Sequence, residues 1–231
     1  MKQNPFCNLT KQEWLLWLGS LITVGISNLL AGQVHPSTFL GTMVGVTALI
    51  FVAKGNVWGQ ILTVAFSILY AITSYEFCYW GEMITYLGMT MPIALLSVVS
   101  WLRHPFEKGK NEVKIHKLTR RQLGIMWTSA MAVTLLFYCV LRAFATPNLF
   151  FSTVSITTSF LASYLMLYRN SWYAVAYAAN DIVLVILWIL ASLESFAYFP
   201  MVICFFMFFL NDIYGFVSWK LREKKQGIKY E

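Results

Sequence analysis

The sequence predicts an all-α integral membrane protein of about eight transmembrane helices. They are expected to form a 3+1+3 core, two parallel three-helix bundles joined by a linker helix, with one extra helix at the N-terminus. Three observations carry this. Of 231 residues, 58% are hydrophobic and 12% charged, about half the charged share of a soluble domain. Apolar stretches of roughly 20 residues, enough helix to cross a hydrocarbon core ~30 Å thick, alternate with short polar ones. They lack the strict alternation of barrel strands, which leaves helices as the way to satisfy the backbone in lipid. The third observation is an internal repeat.

Taken in order, the spans read as 14–31, 37–53, 57–75, 79–102, 122–144, 149–168, 172–192 and 198–219. The first is expected to be retained: Gly19 and Ser20 lie inside the apolar run, with no small-x-small cleavage site behind it. The second opens on Pro36-Ser-Thr and the third on Asn56-Val-Trp58, just after Lys54. The fourth carries Pro92 in mid-span, which should kink it, and closes on Val99-Ser-Trp101-Leu-Arg103. Glu82, near its outer end, is expected to meet water. The fifth is the linker. The sixth opens on Pro147-Asn-Leu, the seventh on Asn170-Ser-Trp172 after Arg169, and the eighth closes on Val217-Ser-Trp219-Lys-Leu-Arg222. The three matched pairs are 111, 114 and 118 residues apart, in the same order. Each pair is four spans apart, so the two copies share one orientation, a parallel repeat. The chain divides into an N-terminal helix (1–35), a first bundle (36–103), a basic loop with the linker (104–146), a second bundle (147–222) and a basic tail (223–231).

The net charge of +7 has a topological meaning. Lys2, Lys11, Lys54, Arg169, the loop residues Arg103, Lys108, Lys110, Lys114, Lys117, Arg120 and Arg121, and the tail all fall on one side of eight spans. Only Arg142 falls toward the other. The positive-inside rule then puts both termini in the cytoplasm of a cytoplasmic (inner) membrane protein. The basic loop and tail are topology signals and lipid contacts rather than a nucleic-acid surface. Cys7, Cys78, Cys139 and Cys204 show no paired spacing, and His35, His104 and His116 sit in separate loops. No disulfide framework, metal site or cofactor is expected.

Two spans hold costly polar groups. Asn180-Asp181 and Asn211-Asp212 each lie about eight or nine residues from the basic side, roughly 12 Å deep. A carboxylate there costs about 2.5–3.5 kcal/mol to insert, so such groups face a cavity or mark a pathway. Helix–helix hydrogen bonding is the alternative. Trp188 and Ser192 continue the stripe of Asn180, and Gln60, Trp58 and Thr63 form a matching polar and aromatic set in the first copy. An aromatic wall beside amides and carboxylates suits a flat, polar, cationic ligand.

With this layout the chain resembles the PnuC family of nicotinamide riboside transporters, bacterial relatives of the SWEET sugar transporters. The stretches that carry the likeness are Asn56-Val-Trp58-Gly59, Asn170-Ser-Trp172 running on to Asn180-Asp181, and Asn211-Asp-Ile-Tyr-Gly215-Phe-Val-Ser-Trp219. In the first copy Ser97 stands where the second has that Gly. The resemblance covers roughly residues 36–222, leaving the first span outside it. It implies facilitated diffusion of nicotinamide riboside, net uptake through intracellular phosphorylation, and a homotrimer in the lipid bilayer. By position it carries substrate binding onto Gln60, Asn180, Trp188, Ser192, Asn211 and Asp212. In that reading Trp188 packs on the pyridine ring, Asn180 and Asn211 bond the carboxamide or ribose, and Asp181 or Asp212 offsets the ring charge. The competing readings are a proton-coupled carrier of another vitamin, such as thiamine or riboflavin, working through those carboxylates, and an intramembrane enzyme. The second lacks a histidine at the depth of the acids, and no P-loop accompanies the spans.

Overall fold

The computed structural model describes residues 6, 9–32, 35–107 and 112–228. Cys7 and the basic residues Lys2, Lys108, Lys110 and Lys229 lie outside them. Helix α1 (Lys11–Leu30) starts at a capping box in which Thr10 and Glu13 satisfy each other's backbone N–H. Then follow α2 (Pro36–Ala53), α3 (Val57–Glu76), a short α4 (Trp80–Thr85), α5 (Met91–Arg103), α6 (Arg120–Ala143), α7 (Leu149–Leu167), α8 (Tyr173–Glu194) and α9 (Phe199–Lys225). With α4 and α5 taken as one span, eight helical stretches are long and apolar enough to cross a membrane. This is a multi-pass helical membrane protein. Span ends match the sequence to within three residues except the last. There α9 continues to Lys225, because Arg222, Lys224 and Lys225 suit the negative end of its dipole.

Where the sequence predicts a kink, the fourth span holds a single wide turn. Residues Tyr86–Thr90 form a π-helical segment, with the Met91 N–H bonded to the Tyr86 carbonyl. Pro92 follows at the start of α5, where a missing N–H costs little. Glu82 departs from expectation. It is 1% exposed and accepts a hydrogen bond from Ser155 of α7 at 3.2 Å. The cause is packing: short α4 lies against α6 and α7, so its inner face never reaches water.

The repeat shows itself as an exchange of hydrogen bonds. Asn56 caps the Trp58 N–H, and Asn170 caps the Trp172 N–H. The Trp219 indole donates to the Val52 carbonyl at 2.9 Å, and the Trp101 indole donates to the Met166 carbonyl at 3.2 Å. Ser218 donates to the Ala53 carbonyl and Ser100 to the Leu167 carbonyl. Val52 and Met166 stand 114 residues apart, the spacing of the two asparagines. Each unit's last helix therefore closes on the other unit's first loop, and the helix contacts α2 with α9 and α5 with α7 follow the same exchange. Residues 112–119 strap the two loops together. Val113 N donates to the Gly55 carbonyl and His116 N to the Arg169 carbonyl, and Gln226 of the tail bonds Val113 and Ile115. Sequence matching paired Lys54 with Arg169, but the backbone pairs Gly55 (φ +62°) with Arg169 (φ +58°).

The face bearing these loops is called the basic face below. Burying an indole N–H with its carbonyl contributes about 1 kcal/mol, more when the carbonyl is left bare. Trp219→Phe and Trp101→Phe are each expected to lower the melting temperature in detergent by about 2–6 °C. Two unchanged melting curves would remove the closing role.

Helix α1 packs on α2 and α9. Its Glu13 is buried and reaches Lys54 Nζ at 2.7 Å and the Tyr214 hydroxyl at 3.0 Å. The first span is thus pinned to the α2–α3 loop and to the last helix by one carboxylate.

Candidate functional site

A cavity of about 60 Å³ lies between the two units, smaller than the usual small-molecule site, so a ligand there needs the walls to part. Its walls come from both. From α2 come Gly45, Ala48, Leu49 and Val52, and from α3 Gln60, Thr63 and Phe66, spaced three apart on one helical face. Tyr86 and Thr90 enter from the π turn, which turns that stretch of the fourth span toward the centre. Met166 comes from α7, Tyr177, Asn180 and Asp181 from α8, and Phe205, Phe208 and Asp212 from α9.

The polar groups are held by neighbours that fix their direction. Asn180 is buried, and its Oδ1 accepts from Thr158 at 2.8 Å and Ser159 at 3.0 Å. Both hydroxyls stand on α7, so the Asn180 NH2 is the end left for the cavity. Tyr177, one turn earlier on α8, bonds Ser163 at 3.0 Å. The side chains of Asp181 and Asp212 face each other across the α8–α9 contact. Three buried atoms on the lining have no hydrogen-bond partner among the described residues: Gln60 Nε2, Thr90 Oγ1 and Asp181 Oδ2. Unpaired buried polar atoms are costly, and three around one cavity, from α3, the π turn and α8, make a surface ready for a polar ligand.

Aromatic rings close the space laterally. Phe66 and Phe208 meet edge to face at 5.3 Å, and Tyr86 lies 5.9 Å from Phe66. Gly45 permits this closure: a Cβ there would fall 2.4 Å from the Phe208 ring and 2.9 Å from Phe66. Toward the basic face the floor is Val52 and Met166, the two residues whose carbonyls the exchanged tryptophans hold. Toward the opposite face Trp188 sits among Tyr70, Phe77, Tyr79 and Tyr198, with centroids 5.0–6.3 Å away.

The cavity therefore gathers Gln60, Thr63, Asn180, Asp181 and Asp212 of the residues the sequence singled out. It does not gather Trp58, Trp188, Ser192 or Asn211. Trp188 is fully buried in the aromatic cluster, its indole donating to the Tyr70 hydroxyl at 3.0 Å. Ser192 donates back to the Trp188 carbonyl. Asn211 turns away, donating to Ser20 of α1 at 3.1 Å and to the Met207 carbonyl. Successive helix residues point about 100° apart, so Asp212 facing the cavity directs Asn211 to α1. The lining aromatics escaped the sequence reading. Tyr177 precedes Asp181 by one turn, and Phe205 and Phe208 precede Asp212 by two turns and one. That shared face was the available signal. Among the described residues no group of His, Cys, Asp and Glu could hold a metal ion.

Comparison with known proteins places this architecture. A family model described as nicotinamide mononucleotide transporter matches residues 35–221. A Neisseria mucosa protein named nicotinamide riboside transporter PnuC is 26% identical over 226 residues, covering 93% of this chain and 82% of that one. A solved structure described as the vitamin B3 transporter PnuC superposes with a TM-score of 0.81 at 21% identity, covering 95% of this chain and 94% of the other. That likeness establishes the fold, including helix α1.

Proposed function

The chain belongs to the nicotinamide mononucleotide transporter family, and from that premise we propose that it is a passive carrier for nicotinamide riboside. The observation that carries this is the cavity lining. It offers two carboxyl side chains, two amides and aromatic walls, and it contains no lysine or arginine. A mononucleotide would bring its phosphate against Asp181 and Asp212 with no cation to receive it. A riboside brings a flat cationic ring and hydroxyls, which those same groups suit. The name of the Neisseria mucosa relative supports the same choice.

In this reading Gln60 and Asn180 donate to the carboxamide or ribose, and Asp181 with Asp212 offsets the ring charge. Phe66, Tyr86, Tyr177 and Phe208 take the stacking part that the sequence suggested for Trp188. The eight spans work as two parallel three-helix units joined by α6, with α1 added outside. The units rock so that the Val52–Met166 floor and the Trp188 cluster open in turn. Uptake runs down the gradient and is made net by phosphorylation inside. The basic face is cytoplasmic in the inner membrane, both termini included, and the assembly is a homotrimer, which native mass spectrometry of the detergent complex checks.

The test is purified protein in liposomes. Labelled riboside should equilibrate across the bilayer without being concentrated, and the mononucleotide should not enter. Accumulation driven by a proton gradient, abolished by Asp181→Asn, would instead establish the proton-coupled carrier. Trp188→Phe should leave riboside affinity within about twofold while costing about 1 kcal/mol of stability through the lost bond to Tyr70. A tenfold weaker affinity would return Trp188 to the site.

A further inference from the structure

Gly55 and Arg169 hold the same backbone position in the two units, both left-handed. Glycine adopts that conformation freely, whereas arginine is strained there. Both carbonyls accept from the 112–119 strap, so the turn itself needs no arginine. The side chain is half-buried, yet no carboxylate lies within ion-pair distance of it among the described residues. Arg169 Nε donates to the Lys114 carbonyl at 3.1 Å, and Nη1 donates to Ser100 Oγ and lies 3.2 Å from His104 Nδ1. Nη2 has no hydrogen-bond partner among the described residues.

These groups line a cavity of about 420 Å³ on the basic face, walled by Ser100, His104, His116, Gln122, Leu167, Tyr168 and Arg169. It contains no acidic residue. The first turn of α6, the positive end of a 24-residue helix, reaches it at Gln122, the third helical residue. The Ser100 hydroxyl, His104 Nδ1 and His116 Nε2 are taken up by the Leu167 carbonyl, the Ser100 carbonyl and Gln122, so the group in this cavity that lacks a counter-charge is the strained, half-buried guanidinium.

We propose that this cavity binds a phosphate group, with the Arg169 guanidinium as its two-pronged anchor and Ser100 and His104 beside it. The occupied site also holds the strap, because Arg169 bonds Lys114 and His116 through its Nε and carbonyl. A soluble phosphomonoester and an anionic lipid headgroup both carry that chemistry to this face. The site is separate from the cavity between the units and does not depend on what that cavity carries.

Thermal melting of the full-length protein tests it in two arms. In neutral detergent, millimolar inorganic phosphate or nicotinamide mononucleotide is compared with chloride at matched ionic strength. In phosphatidylcholine nanodiscs, discs with phosphatidic acid are compared with discs without it. A rise of several degrees in either arm is expected, and the arm that shows it identifies the source. Arg169→Gly installs the first unit's own residue and relieves the strain, so it should fold and lose the rise. Arg169→Lys, which keeps the charge but not the fork, should need about tenfold more phosphate for the same rise, and it carries the test should Arg169→Gly not fold. No rise in either arm, or an equal rise in the variants, overturns the proposal.

Discussion

Asn180→Ala is expected to weaken nicotinamide riboside binding by about 30-fold, with little loss of folded protein. The Asn180 carbonyl is tied to Thr158 and Ser159, so its NH2 has one direction open to it, into the cavity. Removing a donor that a buried ligand group relies on costs about 2 kcal/mol, which is the stated factor. The fold should tolerate the change because Thr158 already has the Val154 carbonyl of its own helix within 3.0 Å. Asn211→Ala is the control. It should lower the melting temperature, through the lost bond to Ser20, and leave affinity nearly intact. Calorimetry on the two variants decides the matter: a larger affinity loss at Asn211 than at Asn180 would move the site to the α1 side.

The contrast between those asparagines shows what the sequence could express. Length and apolarity locate a span to within a few residues, because bilayer thickness leaves no other solution. The repeat was legible for the same kind of reason, since Asn caps and closing tryptophans are short local patterns. Level along the helices was legible too: each Asn-Asp pair puts a residue on the cavity wall, Asn180 and Asp181 from α8 and Asp212 from α9. Direction was not. Which of two adjacent residues faces inward depends on the rotation of the whole helix, and for α9 the neighbours α2, α8 and α1 set it together. Trp188 illustrates a second limit. Its spacing from Asn180 was read correctly as one face, but two turns along that face the cavity has ended and the aromatic cluster has begun. Glu82 illustrates a third, since burial of an acid near a span's end is decided by helices far away in sequence, α6 and α7, the second of which supplies its partner Ser155.

Glu13→Ala should produce the largest loss of stability, about 3 kcal/mol and about 5–10 °C in melting temperature. The carboxylate is 2% exposed and meets both the Lys54 ammonium and the Tyr214 hydroxyl. Deleting one partner of a buried ion pair takes from the other its close counter-charge. The double variant Glu13→Ala, Lys54→Met should recover much of the loss, because it removes the remaining buried charge together with its partner. If the double variant melts as low as the single one, α1 is held by its apolar face and the ion pair is incidental. Riboside equilibration in liposomes should survive in both, because neither residue touches the cavity.

The exchanged tryptophans have a consequence for how the chain is made. Val52 leaves the ribosome early, but the indole that its carbonyl accepts is 167 residues later, and Trp101 waits 65 residues for Met166. Neither half can finish its own basic face during synthesis. The first bundle must wait in the bilayer with its loop open until the last helix inserts, and the strap cannot be fastened at both ends before Arg169 is made. Truncation anywhere before α9 should therefore expose the nascent chain to membrane quality-control proteases. The two halves produced as separate chains should each be short-lived alone and persist together.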